Sequence, residues 1–351
     1  MSSGGPPEDS GLPVRGPDVR RGSDRAVPSA EAGAPSRVAR ARGLRESKLV
    51  IGIPTVRRRR DYLRETLESL VRAVPERDRG RVEIVVFNVD APPEKHVLAE
   101  ALRARFARHV ERGFLSFVTP PRPHPELDEL ARQYAPHDPP HDRLWEVKLF
   151  LDALACMEHC RGRGELYLHL EDDSIAVEGF YDRLAGWFDR NFAERDDWRI
   201  LCVFPLEAVP DCGLLTPSLL RSSTGLLFRT ADLPAVADRL RPRIGELPLD
   251  HAIAGMLDAA GEAMYGCVPA LLQHVGFVSS KDAVVRLFSE AETFEERPRA
   301  RFVRHAREFA DVLAYDPGRV WQVLRHRRLL PLPDSIWSAL VRARRRMRRP
   351  D

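Results

Sequence analysis

Short apolar runs and amphipathic segments alternate along the middle of the chain. Residues 49–53 form an apolar, β-branched run that ends at Pro54, as expected of a strand buried on both faces. Residues 61–70 follow with leucines three or four positions apart, which predicts a helix with one buried face. The alternation continues with strands predicted at 82–89, 114–119, 165–170 and 198–204, and helices predicted at 93–110, 143–161 and from Leu249. This order predicts an α/β fold with a mostly parallel sheet and flanking helices.

Three segments depart from this pattern. Residues 1–46 are rich in glycine and proline and contain no aromatic residue, which predicts a disordered tail and leaves residues 47–290 as the folded domain. Residues 120–142 contain too many prolines for a regular element, which predicts a long loop. Residues 291–351 are rich in arginine and amphipathic, and predict a basic helical C-terminal region. This region is expected either to pack on the body of the protein or to make a peripheral contact with a membrane.

Composition and charge exclude several classes of protein. The chain has 351 residues, of which 43% are hydrophobic, so it can bury a sizeable core and is neither fibrous nor wholly disordered. Its net charge of +3 comes from the arginine-rich ends, while the middle is slightly acidic. Surfaces that bind nucleic acid carry clustered basic charge on the folded domain, so we expect no nucleic-acid partner. Binding of DNA by the basic C-terminal tail alone stays open as a hypothesis.

Cysteine usage and hydropathy indicate the compartment. The five cysteines are an odd number and form no CxxC pair, which argues against a disulfide framework and against a thiolate zinc site. No apolar run reaches the roughly 18 residues of a membrane-spanning helix, and the N-terminus lacks the apolar core of a secretory signal. We therefore expect a cytoplasmic protein, with any membrane contact peripheral.

Three adjacent acidic residues, Glu171, Asp172 and Asp173, follow the strand predicted at 165–170. In an open α/β sheet, ligands bind beyond the carboxyl ends of the strands, where this triplet is expected. Three neighbouring carboxylates repel one another unless a cation or hydrogen-bond donors share the site. A divalent ion with oxygen ligands would relieve this repulsion and keep positions open for phosphate oxygens. A solvated acidic turn or a helix cap explains the triplet equally well.

Three further features bear on this choice. Asp250 and His251 open a predicted helix, where a carboxylate can act as a general base or simply cap the helix. His274 follows an apolar run and is either a ligand to a metal or phosphate, or a structural histidine. Residues 222–225 offer hydroxyl groups and a glycine for close approach to a sugar, and in isolation form an ordinary turn.

Several motifs occur together in the order and approximate spacing of one family. They are Ile51-Gly52-Ile53-Pro54-Thr55-Val56, Glu65-Thr66-Leu67-Glu68-Ser69-Leu70, Val118-Thr119-Pro120-Pro121, Leu170-Glu171-Asp172-Asp173, Asp250-His251 and Gln273-His274-Val275-Gly276-Phe277-Val278-Ser279-Ser280. Over residues 48–282 the chain resembles the N-acetylglucosaminyltransferase IV family, which adds a β-1,4-linked GlcNAc branch to N-glycans. The first-strand motif and the Gln-His-Val-Gly segment carry most of this resemblance, because many nucleotide-sugar transferases share the acidic triplet.

The resemblance implies a GT-A type fold, a UDP-sugar donor such as UDP-GlcNAc, a Mn²⁺ or Mg²⁺ ion, and inversion at the anomeric carbon. By position it implies Asp250 as catalytic base and Asp173 and His274 as residues that hold the metal. It places the donor at the remaining matched positions, which are Pro54, Thr55, Val56, Lys148, Glu171, Asp172 and Gly225. Trp145 also stands at a matching interval, and Gly225 is expected towards the acceptor side.

The sequence thus predicts a metal-dependent inverting glycosyltransferase that acts on a glycan or glycolipid hydroxyl. Two alternatives remain open at this stage. One is transfer from another UDP-sugar, such as UDP-galactose. The other is a non-catalytic scaffold of the same fold that binds a nucleotide or a glycan.

Overall fold

The computed structural model describes residues 43–58, 60–90, 97–120, 124, 129, 142–207, 212–215, 217, 220, 222–276, 291 and 293–315. The helices are α1 (Leu63–Ala73), α2 (Val97–Arg105), α3 (Ala107–Glu111), α4 (Asp142–Cys160), α5 (Phe180–Asn191), α6 (Leu233–Leu240), α7 (Leu249–Ala260) and α8 (Pro298–Tyr315). The strands are β1 (Leu49–Thr55), β2 (Val82–Asn88), β3 (Leu115–Val118), β4 (Leu166–His169), β5 (Ser174–Ala176), β6 (Trp198–Cys202), β7 (Leu214–Leu215), β8 (Leu226–Arg229), β9 (Ala263–Gly266) and β10 (Leu272–His274).

Eight strands form one sheet in the order β3-β2-β1-β4-β8-β6-β9-β7. The first four strands are all parallel, with β1 between β2 and β4. β8 is antiparallel to both of its neighbours, β4 and β6, and the sheet continues with a parallel β6–β9 pair and an antiparallel β7 edge. The sheet is therefore parallel in its first half and mixed in its second, and the expected α/β class is confirmed.

The core lies on both faces of this sheet because successive strand residues point to opposite sides. Leu49, Ile51 and Ile53 of β1 pack in one cluster with residues of α1 and α5. Val50 packs in the other cluster with residues of α4, α6 and α7. β1 is thus covered on both sides, which explains its continuous apolar sequence.

A second, two-stranded sheet pairs β10 with β5 in antiparallel orientation. The sequence pattern did not predict either strand, because each has only three residues and no clear alternation. This small sheet matters for the site because it places the end of β10 beside the chain that leaves β4.

Some expectations concern parts of the chain outside the described residues. Residues 1–42 of the predicted tail lie outside the described residues. Residues 43–46 are described, and Leu44 is buried in the core. Only residues 124 and 129 are described between 121 and 141 of the proline-rich segment. Within the predicted C-terminal region, α8 is a helix, whereas Trp321 and Trp337 lie beyond the last described residue. None of the described helices is both long and apolar enough to cross a membrane.

Candidate active site

Four segments of the chain meet at the carboxyl end of the parallel strands. β1 ends at Thr55 and β4 leads into Glu171, Asp172 and Asp173, and these two strands are parallel neighbours. β10 ends at His274, opposite Ser174 of β5. The first turn of α7 carries Asp250. The topology therefore brings the predicted strand-end residues to one edge of the sheet, where open α/β sheets bind ligands.

Asp172 is fixed by the two elements next to it. The Thr55 hydroxyl donates a hydrogen bond of 2.7 Å to Asp172 Oδ2, and the Thr66 hydroxyl donates one of 2.9 Å to the Asp172 main-chain oxygen. The residue is only 2% exposed. Burial raises the pKa of the Asp172 carboxyl to about 6, against the opposing charge of Arg58.

His274 reaches the acidic triplet through the small sheet. The Val275 amide donates a 2.7 Å hydrogen bond to the Asp173 main-chain oxygen, which extends the β5–β10 pairing. His274 Nε2 lies 3.0 Å from Asp173 Oδ1 and 3.3 Å from Glu171 Oε2. Ligand atoms of Glu171, Asp173 and His274 all lie within 4.8 Å of one another.

These three side chains fit a divalent cation. Two carboxylates and one imidazole are a donor set that Mn²⁺ accepts. Asp173 Oδ1 is buried and faces His274 Nε2, so this oxygen lies inside the cluster where a cation would be held. Glu171, Asp173 and His274 are therefore the residues that could hold a metal. Asp172 faces Thr55 and Arg58 instead.

Glu171 is oriented by residues 222–224, which the sequence offered as groups for a sugar. The Ser223 hydroxyl donates a 2.8 Å hydrogen bond to Glu171 Oε1, and the Thr224 hydroxyl accepts one of 3.0 Å from the Glu171 amide. Ser222 Oγ lies farther from the same carboxylate oxygen, at 3.4 Å. The Ser223 and Thr224 hydroxyls thus hold the side chain and the main chain of Glu171 in position.

Arg58 is one site residue that the sequence did not predict. Its Nη2 atom lies 2.6 Å from Asp172 Oδ1, and its Nη1 atom donates a 2.6 Å hydrogen bond to Asp173 Oδ2. The signal was present in the sequence, because four consecutive arginines follow β1 at the edge where the acidic triplet was expected. The sequence pattern alone did not show that Arg58 turns inward.

The charges of the cluster depend on one another. Burial opposes ionisation of Asp173, but the Arg58 and His274 charges hold the pKa of its carboxyl well below its usual range. Burial alone would lower the pKa of His274, but the Asp173 carboxylate raises it to about 10. Burial by itself would raise the pKa of the Glu171 carboxyl, but the contact with His274 lowers this pKa below its usual value. Without a metal, the three acidic residues therefore face two cations, Arg58 and protonated His274.

A cleft beside this cluster contains most of the residues expected to bind a donor. Pro54, Thr55 and Val56 line one wall, and Glu171 and Asp172 line the side next to the cluster. Its remaining lining residues come from the helices and from the strand ends around them, and are Arg58, Val89, Trp145, Leu149, Asp152, Ala153, His169, Ser223 and Leu249. An aromatic wall, apolar contacts and a few polar groups are typical of a small-molecule site.

Two of the residues expected to bind the donor, Lys148 and Gly225, are not among the described residues that line the cleft. Lys148 donates hydrogen bonds of 2.9 Å to the Val89 carbonyl and 2.7 Å to Asp152 Oδ2, so it joins α4 to the end of β2 next to the cleft. Asp152, which lines the cleft, also contacts His124. Gly225 has a φ of 75°, and a Cβ there would lie 2.8 Å from Phe204 Cβ. Close packing between strands therefore accounts for this glycine.

His169 lines the cleft from the end of β4, and was not predicted as a site residue. Its Nδ1 atom lies 2.9 Å from the hydroxyl of Tyr167, which is fully buried. Burial lowers the pKa of His169 to about 4, so its imidazole is neutral near pH 7. The alternation of β4 points both side chains to the same face, which is the signal that could have identified the pair.

Asp250 lies at the start of α7, where it is partly exposed. Its Oδ1 atom accepts a 2.9 Å hydrogen bond from the amide of the next residue, His251, whereas the N-cap of the helix is Pro248, which makes no side-chain capping bond. Burial raises the pKa of the Asp250 carboxyl, and the negative charge of Glu171 acts in the same direction. Among the described residues that line the cleft is the adjacent Leu249, but not Asp250 itself.

The chain is similar in sequence to a known family model and to several known enzymes. A family model described as the MGAT4 conserved region matches residues 35–207. Alpha-1,3-mannosyl-glycoprotein 4-beta-N-acetylglucosaminyltransferase A of Xenopus tropicalis is 27% identical over 254 residues, covering 66% of this chain and 43% of the relative. The B enzyme of Homo sapiens is 25% identical over 253 residues, covering 66% and 42%. The chain thus spans less than half the length of these curated relatives.

Two solved structures are also similar. One is S. aureus TarS, with a TM-score of 0.36 and 13% identity, covering 79% of this chain and 42% of that one. The other is the mannosyltransferase PcManGT from Pyrobaculum calidifontis in complex with GDP-Man and Mn²⁺, with a TM-score of 0.35 and 14% identity, covering 79% and 68%. At such low scores neither likeness carries an argument about function. The family match confirms the resemblance found in the sequence, because residues 35–207 match the model of the MGAT4 conserved region.

Proposed function

We propose that this protein is a metal-dependent glycosyltransferase of GT-A type that transfers GlcNAc from UDP-GlcNAc, with inversion, to a hydroxyl group of a glycan or glycolipid. One observation carries the proposal. Glu171 and Asp173 follow β4 and His274 ends β10, and their ligand atoms lie within 4.8 Å of one another beside a cleft that Glu171 lines. The sugar and the linkage are taken from the relatives, which are named as 4-beta-N-acetylglucosaminyltransferases.

The acidic cluster would hold the cation, either Mn²⁺ or Mg²⁺. Glu171 and Asp173 supply oxygen atoms and His274 supplies a nitrogen atom once it has lost its proton. When bound, a divalent cation neutralises the negative charge that develops on a departing diphosphate. Ser223 and Thr224 keep Glu171 in place for this task through their hydrogen bonds.

The cleft would bind the nucleotide part of the donor. Pro54, Thr55 and Val56 form a wall at the end of β1, and Trp145 offers an aromatic surface for a base. Lys148, which also bonds to Asp152 of the same helix, links α4 to the Val89 carbonyl beside the cleft. A positioning role for Lys148 agrees with its contacts better than direct contact with the donor.

Asp250 would act as the catalytic base. An inverting transfer needs a base that takes the proton of the acceptor hydroxyl on the face opposite the leaving group, and such a base typically contributes ~10²–10⁴ in rate. Burial and the nearby Glu171 charge raise the pKa of the Asp250 carboxyl, which makes the ionised form a stronger base. The hydrogen bond from the His251 amide orients the carboxylate.

The experiment is a transfer assay with mass-spectrometric detection. The full chain is incubated with UDP-GlcNAc or UDP-galactose and an array of glycan and glycolipid acceptors, with Mn²⁺ or with EDTA. We expect a product larger than its acceptor by one N-acetylhexosamine, formed with Mn²⁺ and abolished by EDTA. Full activity in EDTA would contradict the metal role. A hexose product from UDP-galactose would identify the other donor, and UDP binding without product would indicate a scaffold.

A further inference from the structure

Arg58 lies between the acidic cluster and the cleft that is expected to bind the donor. Its guanidinium bridges two different carboxylates, with contacts of 2.6 Å to Asp172 Oδ1 and 2.6 Å to Asp173 Oδ2. The arginine side chain is 14% exposed, whereas both carboxylates are 2% exposed. Arg58 also lines the cleft expected to bind the donor. One side chain therefore touches both the acidic cluster and the nucleotide cleft.

Asp173 is shared between Arg58 and the group of residues that could hold a cation. Its Oδ2 atom contacts Arg58, while its Oδ1 atom lies 3.0 Å from His274 Nε2, inside that group. A divalent cation bound by Asp173 would lie next to the guanidinium charge. These two positive charges would repel each other strongly, because the site is shielded from water. A guanidinium does not lose its proton, so the repulsion ends only when Arg58 gains another partner or moves away.

A diphosphate is a suitable partner for Arg58. The planar guanidinium matches phosphate oxygens in the same paired geometry in which it now contacts two carboxylates. Because the side chain lines the cleft, a nucleotide diphosphate in that cleft would meet it without a change in the course of the backbone.

We propose that Arg58 is an internal counter-cation that couples metal binding to nucleotide binding. It neutralises Asp172 and Asp173 when no metal is present and weakens binding of the divalent cation to the free protein. A nucleotide diphosphate then takes over its ion pairs and allows the cation to bind tightly. This inference rests on the proposed function, since it assumes that the cleft accepts a nucleotide diphosphate and the cluster a cation.

The test measures Mn²⁺ binding to the full chain by calorimetry, with and without UDP. We expect UDP to tighten Mn²⁺ binding to the wild-type protein. In Arg58→Gln, Mn²⁺ alone should bind on the order of tenfold more tightly, because one repelling charge is gone. The additional tightening by UDP should shrink in this variant. Arg57→Gln is the matched control, because it removes the same charge from an exposed neighbouring side chain, and both effects should stay as in the wild type.

The outcomes separate this inference from the proposed function. If Mn²⁺ does not bind the wild-type protein even with UDP, the proposed metal site fails and the inference falls with it. If Mn²⁺ binds the wild type but Arg58→Gln binds Mn²⁺ no more tightly, the inference is overturned and the metal site stands. Thermal unfolding checks that the variant is folded. Should Arg58→Gln not fold, Arg58→Lys decides through the effect of UDP, because lysine keeps the charge but lacks the paired geometry that matches phosphate oxygens: a smaller tightening of Mn²⁺ binding by UDP supports the inference, and an unchanged tightening overturns it.

Discussion

Gly276 and Asp173 are packed so closely that position 276 has no room for a side chain. A Cβ atom there would overlap Asp173 Oδ2 and lie 2.5 Å from Asp173 Cγ. The same carboxylate is contacted by His274, two residues earlier in the chain. The backbone that follows β10 thus presses directly against the carboxylate expected to hold the cation, which gives a physical reason for glycine in the Gln-His-Val-Gly motif.

Gly276→Ala should therefore disrupt the acidic cluster. The added methyl group displaces the Asp173 carboxylate, and we expect Mn²⁺ affinity to fall at least tenfold because a metal site needs its ligands close to their proper positions. Calorimetry with Mn²⁺ measures the change. Gly255→Ala is the matched control, since a Cβ there meets open space on α7, and it should bind Mn²⁺ as the wild type does. Equal Mn²⁺ affinity in both variants would contradict this role.

Asp250→Asn should abolish catalysis and preserve nucleotide binding. The amide cannot accept the acceptor proton, so we expect kcat to fall at least 100-fold, while the Kd for UDP changes less than threefold. Asp258→Asn, an exposed carboxylate on the same helix, provides the control and should leave kcat unchanged. Turnover by Asp250→Asn within tenfold of the wild type would exclude it as the base.

The contact between His274 and Asp173 predicts how stability depends on pH in EDTA. In the folded protein the Asp173 carboxylate, acting against burial, raises the pKa of His274 to about 10, compared with about 6.5 in an unfolded chain. The stabilising contribution is complete below pH ~6.5 and is lost as pH rises towards about 10, because only the folded protein then keeps the proton. The free energy of unfolding should fall by up to about 1.4 kcal/mol per pH unit in this interval.

Urea denaturation between pH 6 and 9.5 (roughly the interval in which the two states differ) measures this dependence. His274→Gln should remove most of the slope, because glutamine does not titrate. His251→Gln replaces an exposed histidine and should keep the slope. A His274→Gln protein with the wild-type slope would show that another group is responsible.

Thr55→Val tests the support of Asp172. Valine keeps the shape of threonine but cannot donate the 2.7 Å hydrogen bond to the buried carboxylate, so we expect a loss of about 1–3 kcal/mol in the free energy of unfolding. Urea denaturation at pH 7.5 gives the difference. Thr119→Val, at an exposed position after β3, should change stability by less than about 0.5 kcal/mol. A similarly small loss in both variants would mean that the Thr55 bond is dispensable.

Much of the fold was predictable because the long elements have strong patterns. β1 and β2 are buried on both faces and read as continuous apolar runs, and α1 shows its buried leucines at helical spacing. The short strands β5, β7 and β10 were missed, since two or three residues cannot establish a period. Their partners are distant in sequence, so pairing with those partners decides their structure.

The same reasons explain which parts of the site could be anticipated. The acidic triplet was identifiable because it directly follows an apolar strand, and parallel neighbours end at the same edge. Arg58 was not, because the direction of its side chain depends on the three-dimensional course of the chain after β1, which a run of four arginines does not reveal. The hydroxyls of residues 222–224 were noticed, but their partner Glu171 is some fifty residues away in sequence.

Helix α8 has a consequence for how shortened versions of this protein will behave. Arg60 bonds both to Asp311 of α8, at 3.2 Å, and to Glu65 of α1, at 2.8 Å, and it lies two positions after Arg58. Helix α8 therefore holds in place the segment that carries Arg58. A fragment that stops after the last strand would keep every predicted ligand and still lose this support, so inactivity of such a fragment would say nothing against the chemistry proposed for the whole chain.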